Sequence, residues 1–116
     1  WSPLSGGYLT GKNRKTARSD GWESMMKSVI QTREESDNEV ILDKVIEIAE
    51  SRKATPAQVA LAWLFTKKYI TSPILGISKE AHLYDLLQAL ELKLTEEETK
   101  SLDDLYAPRS VMPMGI

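Results

Sequence analysis

Apolar positions recur at helical spacing from Ser36 onward. Ser36-Asp37-Asn38-Glu39 reads as a capping box, and Leu42, Val45, Ile46 and Ala49 follow at i, i+3, i+4 and i+7, which predicts a helix over 38–53. Thr55-Pro56-Ala57-Gln58 then supplies a threonine cap, a proline at the first helical position and a glutamine able to reach back to the cap, so a second helix starts at Pro56 and runs to about residue 68. Val59, Ala60, Leu61, Ala62, Trp63, Leu64 and Phe65 make it apolar almost all round, which predicts deep burial. Ile70, Thr71, Ile74 and Ile77, closed by Gly76 and Ser78, suit a short parallel strand buried on both faces, with its ladder beginning after Pro73. A third helix is predicted to open at Ser78 with Leu83, Leu86, Leu87 and Leu90 on one face, and a fourth to follow the capping box Thr95-Glu96-Glu97-Glu98 with Leu102 and Leu105.

Residues 1–36 carry Gly6, Gly7, Gly11 and Gly21 without sustained periodicity, and read as a short strand running into a long loop with a short helix near 22–30. A loop that long inside a compact unit is usually functional or disordered. The tail over 107–116 holds two prolines and a glycine and is expected to wander over the surface. The order strand, loop, helix, helix, strand, helix, helix is that of βα units with both sheet faces covered. Two such strands are too few to close a barrel. The chain opens on Trp1 and not on Met, already inside a structured Trp-Ser-Pro-Leu segment, so further sequence is expected to precede residue 1.

Composition narrows the function classes. The 116 residues, 41% apolar and 28% charged, fit one folded unit. A net charge of -2 with no basic stripe argues against nucleic acid or an acidic membrane as partner. That balance also removes helix-turn-helix DNA binding by 38–68, where Trp63 to Phe65 must be buried. No cysteine and one histidine leave no thiolate or clustered-histidine metal site, and a reducing cytoplasm is the default. A signal peptide and an apolar run of about 18 residues are both missing from the sequence.

Two segments could carry chemistry, each directly after a predicted strand, where α/β proteins place their ligands. In Ser2-Pro3-Leu4-Ser5-Gly6-Gly7-Tyr8-Leu9-Thr10-Gly11-Lys12 the paired glycines allow close backbone approach, Ser2 and Ser5 offer hydroxyls, and Lys12 can face a pyrophosphate. Asn13 stands where a Walker A loop needs Ser or Thr. The competing account is a plain turn. In Gly76-Ile77-Ser78-Lys79-Glu80-Ala81-His82 a strand end flows into a helix whose free N–H groups and dipole favour phosphate, with Ser78 and Lys79 adding a hydroxyl and an ammonium. There the competing account is that Ser78 caps the helix and Lys79 is solvated. Lys79, His82, Tyr84 and Asp85 could together be taken for an acid-base cluster. Lys79, His82 and Asp85 share one side of the helix while Tyr84 projects elsewhere, so a solvated face is the better account.

In order and spacing these segments, together with Thr55-Pro56-Ala57-Gln58-Val59-Ala60-Leu61-Ala62-Trp63-Leu64, Pro73-Ile74-Leu75-Gly76-Ile77-Ser78-Lys79, and Ala89-Leu90 leading to Leu94-Thr95-Glu96-Glu97-Glu98, resemble the C-terminal part of the aldo-keto reductases. The resemblance implies an α/β fold, the C-terminal portion of a (β/α)8 barrel, helix-rich with about two short parallel strands. It divides the chain into a strand and cofactor loop (1–36), a helical pair (38–68), a strand with a 2′-phosphate site (70–90) and a C-terminal helix with its tail (95–116). It also implies NADP(H) as cofactor and a small aldehyde or ketone as substrate. Trp1 would take the place of a ring that stacks on the nicotinamide. Ser2, Pro3, Leu4, Gly7, Leu9 and Lys12 would line the pyrophosphate channel, and Gly76, Ser78 and Lys79 would hold the 2′-phosphate. His82 and Asp85 would lie near the adenine, where Leu86 departs from a frequent asparagine.

The tyrosine acid of the family and the lysine, aspartate and histidine that support it come from earlier strands. None of Tyr8, Tyr69, Tyr84 and Tyr106 lies in a matching context, so no catalytic residue is assigned and the chain alone is expected to be inactive. A full barrel takes about 250 residues. The alternative is a non-catalytic nucleotide-binding or protein-interaction module that self-associates through an exposed sheet edge and apolar surfaces.

Overall fold

The structure, a computed structural model, describes residues 3–11 and 35–107. The opening strand's Trp1 and Ser2, Lys12, the helix expected near 22–30 and the tail from 108 lie outside the described residues. The remainder is a tight 3-10 turn, Ser5–Thr10, followed by four α-helices among the described residues: α1 (Glu35–Arg52), α2 (Pro56–Phe65), α3 (Glu80–Leu87) and α4 (Glu96–Asp103). A second short 3-10 turn, Gln88–Leu90, extends α3.

Two of the three capping boxes form as read. Thr55 Oγ1 accepts from Gln58 N at 3.2 Å while Gln58 Oε1 accepts from Thr55 N at 2.9 Å, and Pro56 occupies the first turn, where no N–H is needed. At α4 the same exchange joins Thr95 and Glu98, at 3.1 and 2.8 Å. The box proposed at Ser36 is corrected: α1 already begins at Glu35, so Ser36 lies inside the helix. The far end of α1 is closed by Lys53 at φ 51°, with Ala54 N reaching Ala49 O at 2.9 Å. This is a left-handed helix stop built without glycine.

The buried face of α1 is Leu42, Val45, Ile48 and Ala49. Ile46, expected in that stripe, is half-buried, and its side chain lies where a Cβ on Gly11 would meet it at 3.5 Å. Burial of α2 is complete from Ala57 to Ala62 and then lapses: Trp63 and Leu64 are half-buried and Phe65 is exposed. Two apolar clusters result. Val45, Ile48, Ala49, Val59 and Leu102 form one. Ala57, Leu61, Leu86 and Ala89 form the other, with Leu4, Leu64 and Leu75 packed against it.

Two expectations, the strand over 70–77 and the apolar face of α3, fail for reasons that packing explains. The predicted strand over 70–77 makes no ladder among the described residues, although 72–77 is not helical. A strand needs a neighbour to hydrogen-bond, and none of the described residues supplies one, so Ile74 and Ile77 stand exposed. The loop expected after the opening strand is a 3-10 turn over Ser5–Thr10, with Gly7 at φ 94° and Gly11 at φ 71°. On α3 the buried positions are Leu86 and Ala89, while Leu83, Leu87 and Leu90 remain exposed. Those three leucines are centred roughly 100° around the helix from the buried pair.

Two charged clasps tie α4 to the other helices. Arg52 grips Glu98 with two bonds of 2.7 Å, and Lys67 pairs with Asp103 at 2.6 Å while its ammonium lies 4.4 Å from the Trp63 ring centre. Trp63 Nε1 donates to the same Asp103 at 2.8 Å. No helix among the described residues is long and apolar enough to cross a membrane.

The Arg52 hydrogen bond holds the Glu98 carboxyl below its ordinary range, and the Lys67 hydrogen bond does the same for Asp103, in each case against some burial. A carboxylate whose folded value is depressed contributes stability above its unfolded value and loses it as pH falls through the folded one. The melting temperature is therefore expected to fall with acidification below about pH 4, and the double substitution Glu98→Gln with Asp103→Asn to flatten that fall in a thermal melt series. Lys53→Gly is expected to stabilise the fold by about 1 kcal/mol in urea unfolding, because glycine carries no penalty in the left-handed region. Leu61→Ala, at a fully buried site, is expected to cost about 2–5 kcal/mol in the same assay.

Candidate functional site

The two ligand-facing segments read from the sequence meet at one apolar cluster. Leu4, from the opening turn, and Leu75, from the extended segment before α3, both pack against Ala57, Leu61, Leu86 and Ala89. Residues 3–11 and 72–79 are thus held by the same helices although about 65 residues separate them in the chain.

Within the opening turn the backbone bonds to itself. Gly7 N and Leu9 N both donate to Leu4 O, at 3.0 and 3.3 Å, and Thr10 Oγ1 donates to Gly7 O at 2.7 Å. Gly7 needs its left-handed φ rather than space, since a Cβ there would meet nothing within 4 Å. Pro3 and Leu9 line a small apolar cavity of about 110 Å³ with Ile41, Trp63, Leu64 and Tyr106 among its other walls. These two side chains therefore face the helical layer.

At the second segment Gly76 is exposed, and a Cβ on it would again meet nothing within 4 Å. The cap position of α3 is Lys79, extended at φ −141° and ψ 141°, with no side-chain cap. The alternative in which Ser78 caps this helix is thereby corrected: the helix starts one residue later than a Ser78 cap requires. Ser78, Lys79 and His82 are exposed, and among the described residues their side chains have no hydrogen bond or ion pair. Glu80, in the first turn, accepts from Tyr84 Oη at 3.1 Å, so Tyr84 belongs to a surface pair. No group of acidic or histidine side chains able to hold a metal occurs among the described residues.

Asp85 behaves differently from its neighbours. It is half-buried, and Gln58 Nε2 donates to its Oδ1 at 2.8 Å and to its main-chain oxygen at 2.9 Å. Thr55 Oγ1 reaches the other carboxylate oxygen at 3.5 Å, the outer limit of a hydrogen bond. The sequence reading took Thr55 and Gln58 as a cap and nothing more. The available signal was the choice of amide: a capping box closes equally well with Glu, and only Gln has two N–H groups left to give. Leu86, where the resemblance led one to look for an asparagine, is buried in the cluster against α2.

The family model of the aldo/keto reductases matches residues 1–107. The chain belongs to the aldo/keto reductase family. It is 33% identical to an aldo-keto reductase of Fusarium vanettenii over 96% of this chain and 30% of that protein. It is 29% identical to the versiconal hemiacetal acetate reductase of Aspergillus parasiticus over 97% of this chain and 33% of that protein. A putative voltage-gated potassium channel subunit beta of Schizosaccharomyces pombe is 34% identical over 90% of this chain and 32% of its own length. The chain spans about a third of the length of these curated relatives.

Removing the Asp85 carboxylate leaves one N–H of a buried amide with only Gln88 Oε1 at 3.4 Å, and a poorly satisfied buried donor typically costs about 1–3 kcal/mol. Asp85→Ala is expected to lose about that much in urea unfolding, whereas His82→Ala, at an exposed side chain, is expected to be neutral.

Proposed function

We propose that this chain is the cofactor-holding C-terminal third of an NADP(H)-dependent aldo-keto reductase barrel, whose carbonyl reduction or alcohol oxidation depends on groups outside residues 1–116. The cofactor supplies the hydride. This chain's residues bind and orient it: Ser78, Lys79 and the Gly76 backbone at the 2′-phosphate, His82 and Asp85 beside the adenine, and the turn containing Pro3, Leu4, Gly7 and Leu9, with Ser2 and Lys12, along the pyrophosphate. Trp1 would stack on the nicotinamide.

The observation that carries this reading is the state of Ser78 and Lys79. A hydroxyl and an ammonium stand exposed and uncommitted at the amino end of α3, beside backbone N–H groups that lack helical partners. Two further features support it. The extended, unpaired 72–77 segment carries apolar residues on both sides, as a barrel strand does once its neighbours are present. The packing of Leu4 and Leu75 against one apolar cluster also ties both segments to the same helices. On this reading the adenosine end of the cofactor is held by 76–85 alone, and the chain binds adenosine 2′,5′-bisphosphate without the rest of a barrel.

A second reading, a non-catalytic module that self-associates, is favoured by the exposed apolar row of Leu83, Leu87 and Leu90 together with Ile74 and Ile77. Sedimentation separates the two: a concentration-dependent oligomer favours the module, a monomer the barrel portion.

Lys79→Ala is expected to weaken NADP about tenfold in calorimetric titration, the size of one charge-assisted contact, and to leave NAD within about twofold. Equal losses for both nucleotides would reject the 2′-phosphate site. The chain alone is expected to show no NADPH oxidation with aldehydes, and turnover would overturn the assignment of the catalytic groups to other sequence.

A further inference from the structure

Gln58 is the buried polar side chain of the described core, 6% exposed, and its amide is spent on two tasks at once. Its Oε1 accepts from Thr55 N and so closes the cap of α2. Its Nε2 points at α3, with Asp85 Oδ1 at 2.8 Å, Asp85 O at 2.9 Å and Gln88 Oε1 at 3.4 Å. The network fixes the amide's orientation, because the reversed amide would set an oxygen against the Asp85 carboxylate. The second task also explains the residue type. Glutamate in the same box would cap equally well and would press a second carboxylate on Asp85.

Resting on the nucleotide reading above, we infer that Gln58 is a positioning residue that aims the Asp85 carboxylate, and that the pair selects adenine over guanine. Gln58 holds Oδ1, while Asp85 stays only half-buried and follows the exposed His82 by three positions on α3, on the same side of the helix. Adenine presents an amino group at C6 and donates to such an acceptor. Guanine presents a carbonyl oxygen there and is repelled. Thr55 steadies Oδ2 only through its 3.5 Å contact, so the aim of the carboxylate rests on Gln58.

The test compares adenosine 2′,5′-bisphosphate with guanosine 2′,5′-bisphosphate by calorimetric titration of the 116-residue chain. Gln58→Met, which keeps length and removes the donors, is expected to weaken the adenosine ligand about tenfold and leave the guanosine ligand within about twofold. The same loss is expected from Asp85→Ala, and the double variant should lose no more than either single one. A purely structural role would weaken both ligands alike or give additive losses, and either result overturns the inference. Asp85→Asn keeps the argument testable should Gln58→Met unfold: with its oxygen held by Gln58, the new amide nitrogen faces outward, and preference is expected to shift toward guanosine. An unchanged preference overturns the inference. If Lys79→Ala weakens both bisphosphates while Gln58→Met affects neither, Gln58 positioning falls and the nucleotide site stands. If the unaltered chain binds neither ligand, the nucleotide reading fails and this inference fails with it.

Discussion

Burial of α2 on opposite sides is the constraint on which the rest of the structure depends. Val59 enters the cluster shared with α1 and α4, with Trp63 packed beside it, while Ala57 and Leu61 enter the cluster shared with α3 and the two loop segments. A helix with one apolar stripe could hold only one of these layers. Because α2 holds both, the turn at residues 3–11 and the extended stretch before α3 meet around a rigid centre, and the candidate ligand groups inherit their relative placement from apolar packing. The amino end of the same helix then carries the cap whose glutamine fixes Asp85, so the polar arrangement starts from the same element.

What the sequence made legible follows from how local each signal is. The starts of α2 and α4 depend on residues three apart, and both capping boxes form where they were read. The boundary at Ser36 failed because the helix continues upstream through Glu35, and a polar triplet resembles a cap whether or not the helix begins there. The leucines of α3 failed for another reason. Periodicity shows that an apolar face exists but not which partner covers it, and here Leu86 and Ala89 are buried while Leu83, Leu87 and Leu90 stay 41–50% exposed. A ladder for 72–77 is the extreme case, since its hydrogen bonds need another segment entirely.

The candidate site divides along the same line. Gly76, Ser78 and Lys79 were read as a strand end entering a helix; the helix forms, no ladder does among the described residues, and the two side chains stand exposed and uncommitted. The resemblance put Asp85 near the adenine, but its pairing with Gln58 spans 27 residues and no local pattern announces it. Pro3 and Leu9, expected along the pyrophosphate, also wall an apolar cavity against the helices. Membership of the aldo/keto reductase family, matched over residues 1–107, is consistent with these placements while the chain spans about a third of its relatives.

The central claim is that two segments far apart in sequence grip one dinucleotide. Amide chemical-shift mapping of the isotopically labelled chain during titration with NADP tests it most directly. The account predicts saturable shifts with one common dissociation constant at Gly76, Ser78 and Lys79 and also at Gly7, Leu9 and Thr10. Shifts confined to one segment, or two segments responding with unrelated constants, would contradict it.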